Sequence, residues 1–312
     1  MKSPIGRREF VKRCVVAGTG IVAMPSLSRA LNAGPDPSRY DIYAVVGDRT
    51  FDNTMKALDA LGGMRKFVRP GNTVGILVNS PMHNPGSFTN PDVALAVVKA
   101  SLDAGAKQVF ALNDISRRYW NRSNLADKMR PEIERIRHVQ DMTDVIIDKS
   151  VSLRKAEVSK TFLSCDVYIN IPMIKDHDGT RFTCNLKNTM GVCSDSTCRR
   201  FHYGEDAGLF DFLKGGYDNI NLLAQCIADV NLIRQPDLCV VDATEFLITN
   251  GPNGPGDLRK PKEVFVSTNC LAADMYGVRH LRLNPEELPV ITCAQRHGYG
   301  PAHLKDITVH TL

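Results

Sequence analysis

Short apolar runs recur along the chain, and the segments between them carry apolar residues at helical spacing. A short apolar run bounded by polar turns predicts a strand buried on both faces of a sheet. Runs of this kind predict strands over 41–46, 74–78, 108–112, 145–147, 167–171 and 238–241.

Helical periodicity fills the gaps between these strands. Asp52 is placed to cap a helix that carries apolar residues at positions 55, 58 and 61. A second helix is predicted with Asn90 as its cap, Pro91 at its first position and Gly105 after its end. Further helices are predicted over 125–137, 220–233 and 271–281.

Strands that alternate with helices imply right-handed crossovers and a parallel sheet. The sequence therefore predicts an α/β fold, a mainly parallel sheet flanked by helices, as a single domain over 41–312 with one lobe or two. Ligands of such sheets bind beyond the carboxyl ends of the strands. That rule selects Asn79, Asn113, Asp114, Asp242 and the segment after Ile171.

The net charge of +5 comes entirely from the first 33 residues, which hold six basic side chains and one acidic one. The rest of the chain is neutral, so the basic face that nucleic-acid binding needs is absent and no nucleic acid is expected as a partner. No apolar run reaches the length of about 20 residues that spans a bilayer, so no membrane span is expected in the mature chain.

Residues 1–33 resemble a twin-arginine export signal. Arg7 and Arg8 are followed by Phe10 and Lys12, and then by an apolar stretch over 14–24 that Pro25 ends. Cleavage is expected after residue 30 or 33, which leaves a tether over 34–40. The resemblance implies the twin-arginine translocase as a partner and a folded protein in the periplasm or cell envelope. The alternative is an amphipathic basic N-terminal helix.

The densest group of chemically useful residues follows the strand predicted over 167–171. Lys175 and His177 lie in the loop after it, and Lys187 and Asn188 begin a short helix. Two lysines, an imidazole and an amide near a helix start suit a small anion such as a carboxylate or phosphate. The alternative is a solvated polar loop.

Several motifs in order resemble the bacterial and archaeal family called domain of unknown function 362. They are the N-I-P-M-I-K-D-H of 170–177, the L-K-N-T-M-G of 186–191 with His202 after it, the V-D of 241–242 with the N-G-P of 250–252, the N-P-D of 90–92, the A-G-A-K of 104–107 and the A-A-D of 272–274. The family usually has Lys at the position of Met173 and K-P-N at 77–79, where this chain has L-V-N. No C-x-x-C-x-x-C run marks an appended ferredoxin-like domain. The resemblance implies a fold and a site more than a reaction.

The leading hypothesis is a binding or catalytic site for a small anionic ligand. Lys175 and Lys187 neutralise the anion, His177 acts as acid or base, and Asp242 orients a lysine or a metal. The predicted ligand-binding residues are Asn79, Asn188, Asn250, Gly251 and Asp274. The loop over 250–256 is not a phosphate loop, because its two prolines remove backbone donors. It closes over a ligand or is a plain connecting turn.

Cysteines and histidines supply a second hypothesis, a metal or iron–sulfur redox protein. Cys184, Cys193, Cys198 and His202 lie close together in the sequence, although their spacing matches no standard zinc or ferredoxin pattern. The alternatives are a disulfide between Cys193 and Cys198, or free thiols. A third hypothesis is a non-enzymatic accessory protein that docks onto an exported redox partner.

Overall fold

The structure is a computed structural model and describes residues 22–23, 40–204 and 219–312. Apart from residues 22–23, the predicted export signal over 1–33 lies outside the described residues, as does the predicted tether up to residue 39. The strands are β1 (Val22–Ala23), β2 (Asp41–Val46), β3 (Thr73–Val78), β4 (Gln108–Ala111), β5 (Ile136–His138), β6 (Met142–Ile146), β7 (Lys155–Ser159), β8 (Val167–Ile171), β9 (Leu238–Ala243), β10 (Phe246–Leu247), β11 (Leu258–Arg259), β12 (Glu263–Ser267) and β13 (Thr308–Thr311).

Ten α-helices occur among the described residues, and short 3₁₀ turns follow several of them. They are α1 (Thr50–Ala60), α2 (Pro91–Asp103), α3 (Arg117–Trp120), α4 (Arg130–Ile133), α5 (Lys160–Ser164), α6 (Asn185–Asn188), α7 (Asp195–Tyr203), α8 (Ile220–Val230), α9 (Cys270–Val278) and α10 (Pro289–Arg296).

Eight strands form the main sheet in the order β13-β2-β12-β9-β8-β3-β4-β5. Only β12 runs against its two neighbours, β2 and β9, and the other neighbouring pairs are parallel. Strands β6 and β7 pair antiparallel in a second sheet that also includes β1, and β10 pairs with β11. The predicted α/β class with a mainly parallel sheet is confirmed.

Helices cover both faces of the main sheet, so its central strands are buried on both sides. Alternate residues of β9 show this arrangement: Leu238 and Val240 pack in one apolar core with α1 and α2. Cys239 and Val241 pack in the other core with α8, α9 and α10. This burial explains why the sheet strands read as continuous apolar runs in the sequence.

The second predicted helix is confirmed at its N-terminus, because the Asn90 side chain accepts a hydrogen bond from the Asp92 N–H at 3.0 Å and Pro91 takes the first position. The first helix begins earlier than predicted, since Arg49 is its cap and Asp52 lies in its first turn. The helix predicted over 125–137 is wrong. Pro131 lacks the N–H that a helix running through it would need, and only the single turn α4 forms before β5.

Several strands were not expected from the apolar pattern. Among them, β12 pairs antiparallel between β2 and β9, and β13 adds to the edge of β2. The strand predicted over 145–147 forms as β6, but it lies in the second sheet. Strand β13 could not be predicted from a run of buried apolar residues, because most of its residues are exposed. Within the described residues, no helix is long and apolar enough to cross a bilayer.

Candidate functional site

The candidate site begins where β8 and β3 end together, since Val78 is the partner of Ile171. Beyond Ile171 the chain runs past the carboxyl edge of the sheet, where Met173 forms a parallel bridge with Asp242. It then turns back so that Lys175 forms an antiparallel bridge with Thr183. The predicted segment therefore lies at the predicted edge and folds into a narrow loop.

Lys175 is the most deeply placed cation of this loop, with 2% of its surface exposed. Its Nζ donates a hydrogen bond to the carbonyl oxygen of Ser87 at 2.5 Å. Burial, and then the nearby charge of Lys187, lower the pKa of Lys175 to about 7. A large part of the Lys175 population is therefore a neutral amine near physiological pH.

Lys187 stands on α6 and is half-buried. Burial lowers its pKa to about 8, against the opposing influence of Cys198 and Asp178. Asp274 fixes this one-turn helix, because its carboxylate accepts the N–H of Asn185 at 2.8 Å and the N–H of Leu186 at 3.0 Å. A carboxylate predicted to contact a ligand thus positions the segment that carries Lys187.

His177 lies beside both lysines and is 3% exposed. Burial lowers its pKa to about 2, with smaller contributions from Lys187, Lys175 and His202. Its Nδ1 accepts a hydrogen bond from the Gly179 N–H at 2.9 Å, which assigns the proton of the neutral ring to Nε2. Burial and Lys187 also lower the pKa of His202, to about 4. Because the charges of these side chains affect one another's pKa values, Lys175, Lys187, His177 and His202 form one cluster.

Negative charge does not balance these lysines. Across residues 40–204 and 219–312, no carboxylate forms an ion pair with Lys175 or Lys187. Asp178 lies near Lys187, but its side chain is 58% exposed, so water screens it. Buried charges in proteins are normally paired with an opposite charge. The described residues provide no carboxylate partner for these two lysines, so a bound anion would fit here.

Thr183 is a site residue that sequence reasoning missed. Its side chain is 3% exposed, and its hydroxyl has no hydrogen-bond partner among the described residues. Residues that pair across an antiparallel bridge direct their side chains to the same face, so Thr183 shares a face with Lys175. The sequence signal was weak, since a threonine two positions before the short helix is ordinary.

Asn188 has a different role from the one predicted. Its amide donates to the carbonyl oxygen of Leu77 at 3.1 Å and to Oδ1 of Asn170 at 2.7 Å. Asn170 in turn donates to the carbonyl oxygen of Asn185 at 2.9 Å. Both donors of Asn188 are occupied, so it fastens α6 to β3 and β8 and has no proton left for a ligand.

Asp242 also differs from the prediction that it orients a lysine or a metal. Its Oδ2 accepts the N–H of Asn90 at 2.6 Å, and its Oδ1 accepts the N–H and hydroxyl of Thr244 at 2.8 and 2.7 Å. Burial raises its pKa to about 6. The carboxylate ties the start of α2 to the end of β9 and makes no contact with Lys175 or Lys187.

The predicted loop over 250–256 packs on the loop that carries His177. The Gly251 N–H donates to Oδ2 of Asp176 at 2.9 Å, and the Gly251 carbonyl accepts the N–H of Asp178 at 3.2 Å. A Cβ at Gly251 would lie 1.8 Å from the Asp176 carbonyl oxygen, so only glycine allows this approach. Asn250 is exposed and bonds within its own loop, to the carbonyl oxygen of Pro255. This loop supports the site from outside.

Asn79 keeps its predicted position at the end of β3. Its backbone bonds to Ile171 and Thr89, whereas its half-buried side chain has no hydrogen bond within the described residues. Of the predicted ligand-binding side chains, Asn79 is therefore the one with free hydrogen-bonding capacity at the carboxyl edge of the sheet.

The cysteines do not assemble as the metal hypothesis requires. All eight cysteines in the described residues are free thiols. Cys184 is buried beside Asp274, which together with burial raises its pKa well above the usual value. Cys193 and Cys198 lie near each other, and Cys198 lies near Lys187. In residues 40–204 and 219–312, no three His, Cys, Asp or Glu side chains are grouped to hold one metal ion.

Comparison with known proteins confirms the predicted resemblance to the family called domain of unknown function 362. A family model described as Domain of unknown function (DUF362) matches residues 74–279, more than half of the 312-residue chain. The match includes Lys175, His177 and Lys187. The Thylakoid-associated protein of Synechocystis sp. is 28% identical over 257 residues, which cover 78% of this chain and 74% of that protein.

Two solved structures align with part of the chain. The lactate racemase apoprotein from Thermoanaerobacterium thermosaccharolyticum aligns with a TM-score of 0.44 at 14% identity, over 80% of this chain and 58% of that one. A protein from Thermotoga maritima aligns with a TM-score of 0.37 at 16% identity, over 63% of this chain and 51% of that one. The chain thus spans between half and two thirds of the length of these structures.

Proposed function

This chain belongs to the family described as Domain of unknown function (DUF362), and we propose that it binds a small anion between Lys175 and Lys187. The single observation that supports the proposal is the presence of two adjacent lysines, one of them fully buried, with no paired carboxylate in the described residues. A bound carboxylate, phosphate or sulfate would supply the missing charge.

Each polar group of the site has a distinct part in this proposal. Lys187 is half-buried and meets the anion first, whereas Lys175 is the deeper contact. The Thr183 hydroxyl is an uncharged donor that can complete the coordination of an oxyanion. Such a mixture of cations and neutral donors matches anion sites in which geometry, beyond charge, selects the ligand.

Lys187→Ala tests the proposal, with inorganic phosphate and pyruvate as probes in isothermal titration calorimetry. Loss of one of two charge-assisted contacts should weaken binding at least tenfold, because such contacts contribute about 1.5–3 kcal/mol each. Lys107→Ala is the matched control, since Lys107 is exposed and precedes β4 at the opposite edge of the sheet. Unchanged affinity in Lys187→Ala, or no binding of either probe to the wild type, would contradict the proposal.

We propose further that the chain is exported folded by the twin-arginine route to the periplasm or cell envelope. The paired Arg7 and Arg8 before an apolar stretch support this proposal, and the relative from Synechocystis sp. is called a thylakoid-associated protein. Replacing both arginines with lysine should leave the protein in the cytoplasmic fraction, unprocessed. Equal export of the double variant would contradict it.

Metal or iron–sulfur binding by Cys184, Cys193, Cys198 and His202, and docking on an exported redox partner, remain predictions. The thiols of Cys193 and Cys198 lie near each other, but Cys184 lies beside Asp274. The metal-to-protein ratio of anaerobically purified protein measures the first of these directly.

A further inference from the structure

Lys175 has an environment that an anion-binding cation does not need. Full burial favours the neutral amine over the ammonium, and a second cation beside it strengthens that preference. A lysine whose only task is to hold an anion functions best when it is always charged. Burial beside another cation is instead one of the ways in which proteins activate a lysine as a nucleophile.

We infer that Lys175 forms an imine with a small carbonyl compound that also carries an anionic group, such as a 2-oxo acid. This inference rests on the proposed anion site, because Lys187 would hold the carboxylate or phosphate while the Lys175 amine reaches the carbonyl carbon. It names the substrate class of the site.

Among the described residues, the Lys175 amine has one hydrogen-bond partner and no carboxylate partner. One N–H is directed to the Ser87 carbonyl oxygen at 2.5 Å, which orients the nitrogen. No carboxylate of the described residues pairs with the amine. The Thr183 side chain lies on the same face, and its unpartnered hydroxyl can donate to the carbonyl oxygen of the substrate.

The two lysines differ in a way that suits a division of roles. Lys175 is buried and its pKa is about 7, whereas Lys187 is half-buried and its pKa is about 8. Burial disfavours the ammonium form more strongly at Lys175, so Lys187 is the more readily charged of the two lysines. Environments that separate the pKa values of two like groups commonly assign them different tasks.

The chemical step balances without any further reagent. The neutral Lys175 nitrogen adds to the carbonyl carbon, and the carbonyl oxygen becomes a hydroxyl. That hydroxyl leaves as water after protonation, and both nitrogen protons are lost as C=N forms. One proton taken from solution then gives the iminium ion. The proton that the hydroxyl takes up before it leaves as water comes from solution.

The experiment is reductive trapping of the full chain. Wild-type protein is incubated with pyruvate and cyanoborohydride at pH 7.5, and the modified lysines are identified by peptide mass spectrometry. The hydride reduces the iminium to a stable secondary amine. We expect Lys175 to be modified at least tenfold faster than exposed lysines such as Lys107, and we expect sulfate to slow this modification by competing for Lys187.

Two variants of Lys175 distinguish its proposed role as a nucleophile from its role as a cation. Lys175→Met should abolish the fast adduct, and circular dichroism should show that it is folded. Lys175→Arg keeps a cation but cannot form an imine, so it should bind sulfate without forming an adduct. Lys107→Met is the control and should behave as the wild type.

The outcomes separate the two proposals. A fast adduct confined to Lys175 supports both. Phosphate or pyruvate could bind in calorimetry while Lys175 is modified no faster than exposed lysines. That result would overturn the proposal that Lys175 forms an imine, and it would leave the anion-site proposal in place. Failure of every probe to bind, with no adduct, overturns both.

Discussion

The carboxylate of Asp242 accepts the backbone N–H of Asn90 at 2.6 Å, across 152 positions of sequence. This bond fixes the start of α2 against the end of β9, and both remaining contacts of the carboxylate are with Thr244. The one carboxylate of the predicted catalytic set thus forms structural contacts in the described residues.

We therefore expect Asp242→Asn to affect stability and leave anion binding intact. The amide would turn one acceptor into a donor that faces an N–H, at a cost of about 1–3 kcal/mol. Urea denaturation of the variant measures this loss, and calorimetry with phosphate measures the affinity. A tenfold loss of phosphate affinity in a folded variant would show that Asp242 contributes to anion binding.

Lys175→Met should make the protein more stable. Lowering the lysine pKa from 10.5 to about 7 corresponds to about 5 kcal/mol, and the lost bond to Ser87 removes about 1–3 of it. The expected net gain is therefore about 2–4 kcal/mol at pH 6. A lysine selected for function at the expense of stability would behave in this way.

The gain in Lys175→Met should depend on pH with a defined sign. The folded-state pKa lies below the unfolded one, so the cost of the lysine is complete below pH 7 and disappears as the pH rises toward 10.5. Denaturation at pH 6 and at pH 9.5 should therefore give a larger difference from wild type at pH 6. An equal difference at both values would show that Lys175 is not desolvated in the folded protein.

Anion binding should draw protons from solution at pH 8. Lys175 is mostly neutral and Lys187 about half charged at this pH, and a nearby negative charge raises both pKa values. Calorimetry with sulfate in Tris and in HEPES should give enthalpies that differ by the uptake of up to about one proton per sulfate. The uptake should be small at pH 6, and affinity should fall as the pH rises. Equal enthalpies in the two buffers at pH 8 would contradict this coupling.

Gly251→Ala should lower the affinity for phosphate, although we do not expect Gly251 to contact the anion. Its Cβ would overlap the Asp176 carbonyl oxygen, so the loop that carries His177 has to move. We expect phosphate affinity to fall severalfold with a loss of stability of about 1–3 kcal/mol. Gly47→Ala is the control, because its Cβ meets only the tip of Asn53. A wild-type affinity in Gly251→Ala would show that this loop does not support the site.

The sequence predicted the elements whose signals are local. Asn90 and Pro91 mark the start of α2, and the apolar runs mark the buried strands, because both depend on neighbouring residues. The segment with Lys175, His177 and Lys187 was found for the same reason, since these residues lie within one loop and one helical turn.

The roles of the polar residues around that segment were less predictable. Asp242, Asn188 and Asp274 each form at least one hydrogen bond with a backbone group far away in sequence. Residue type shows that a carboxylate or an amide is present, and only the fold shows which donors surround it. Thr183 was missed because its lack of a partner is a property of packing alone.

The position of β2 in the sheet has a consequence for how the chain folds, because both of its neighbouring strands come late in the sequence. Strand β2 has only β12 and β13 as neighbours in the sheet, and Val45 pairs with Val264. During synthesis, the β2 segment is made long before either partner exists, so its apolar edge stays unpaired while most of the chain emerges. Pairings this distant in sequence slow folding and expose a nascent chain to aggregation. Strand β2 should therefore join the sheet among the last elements to fold, after the parallel strands that carry the site.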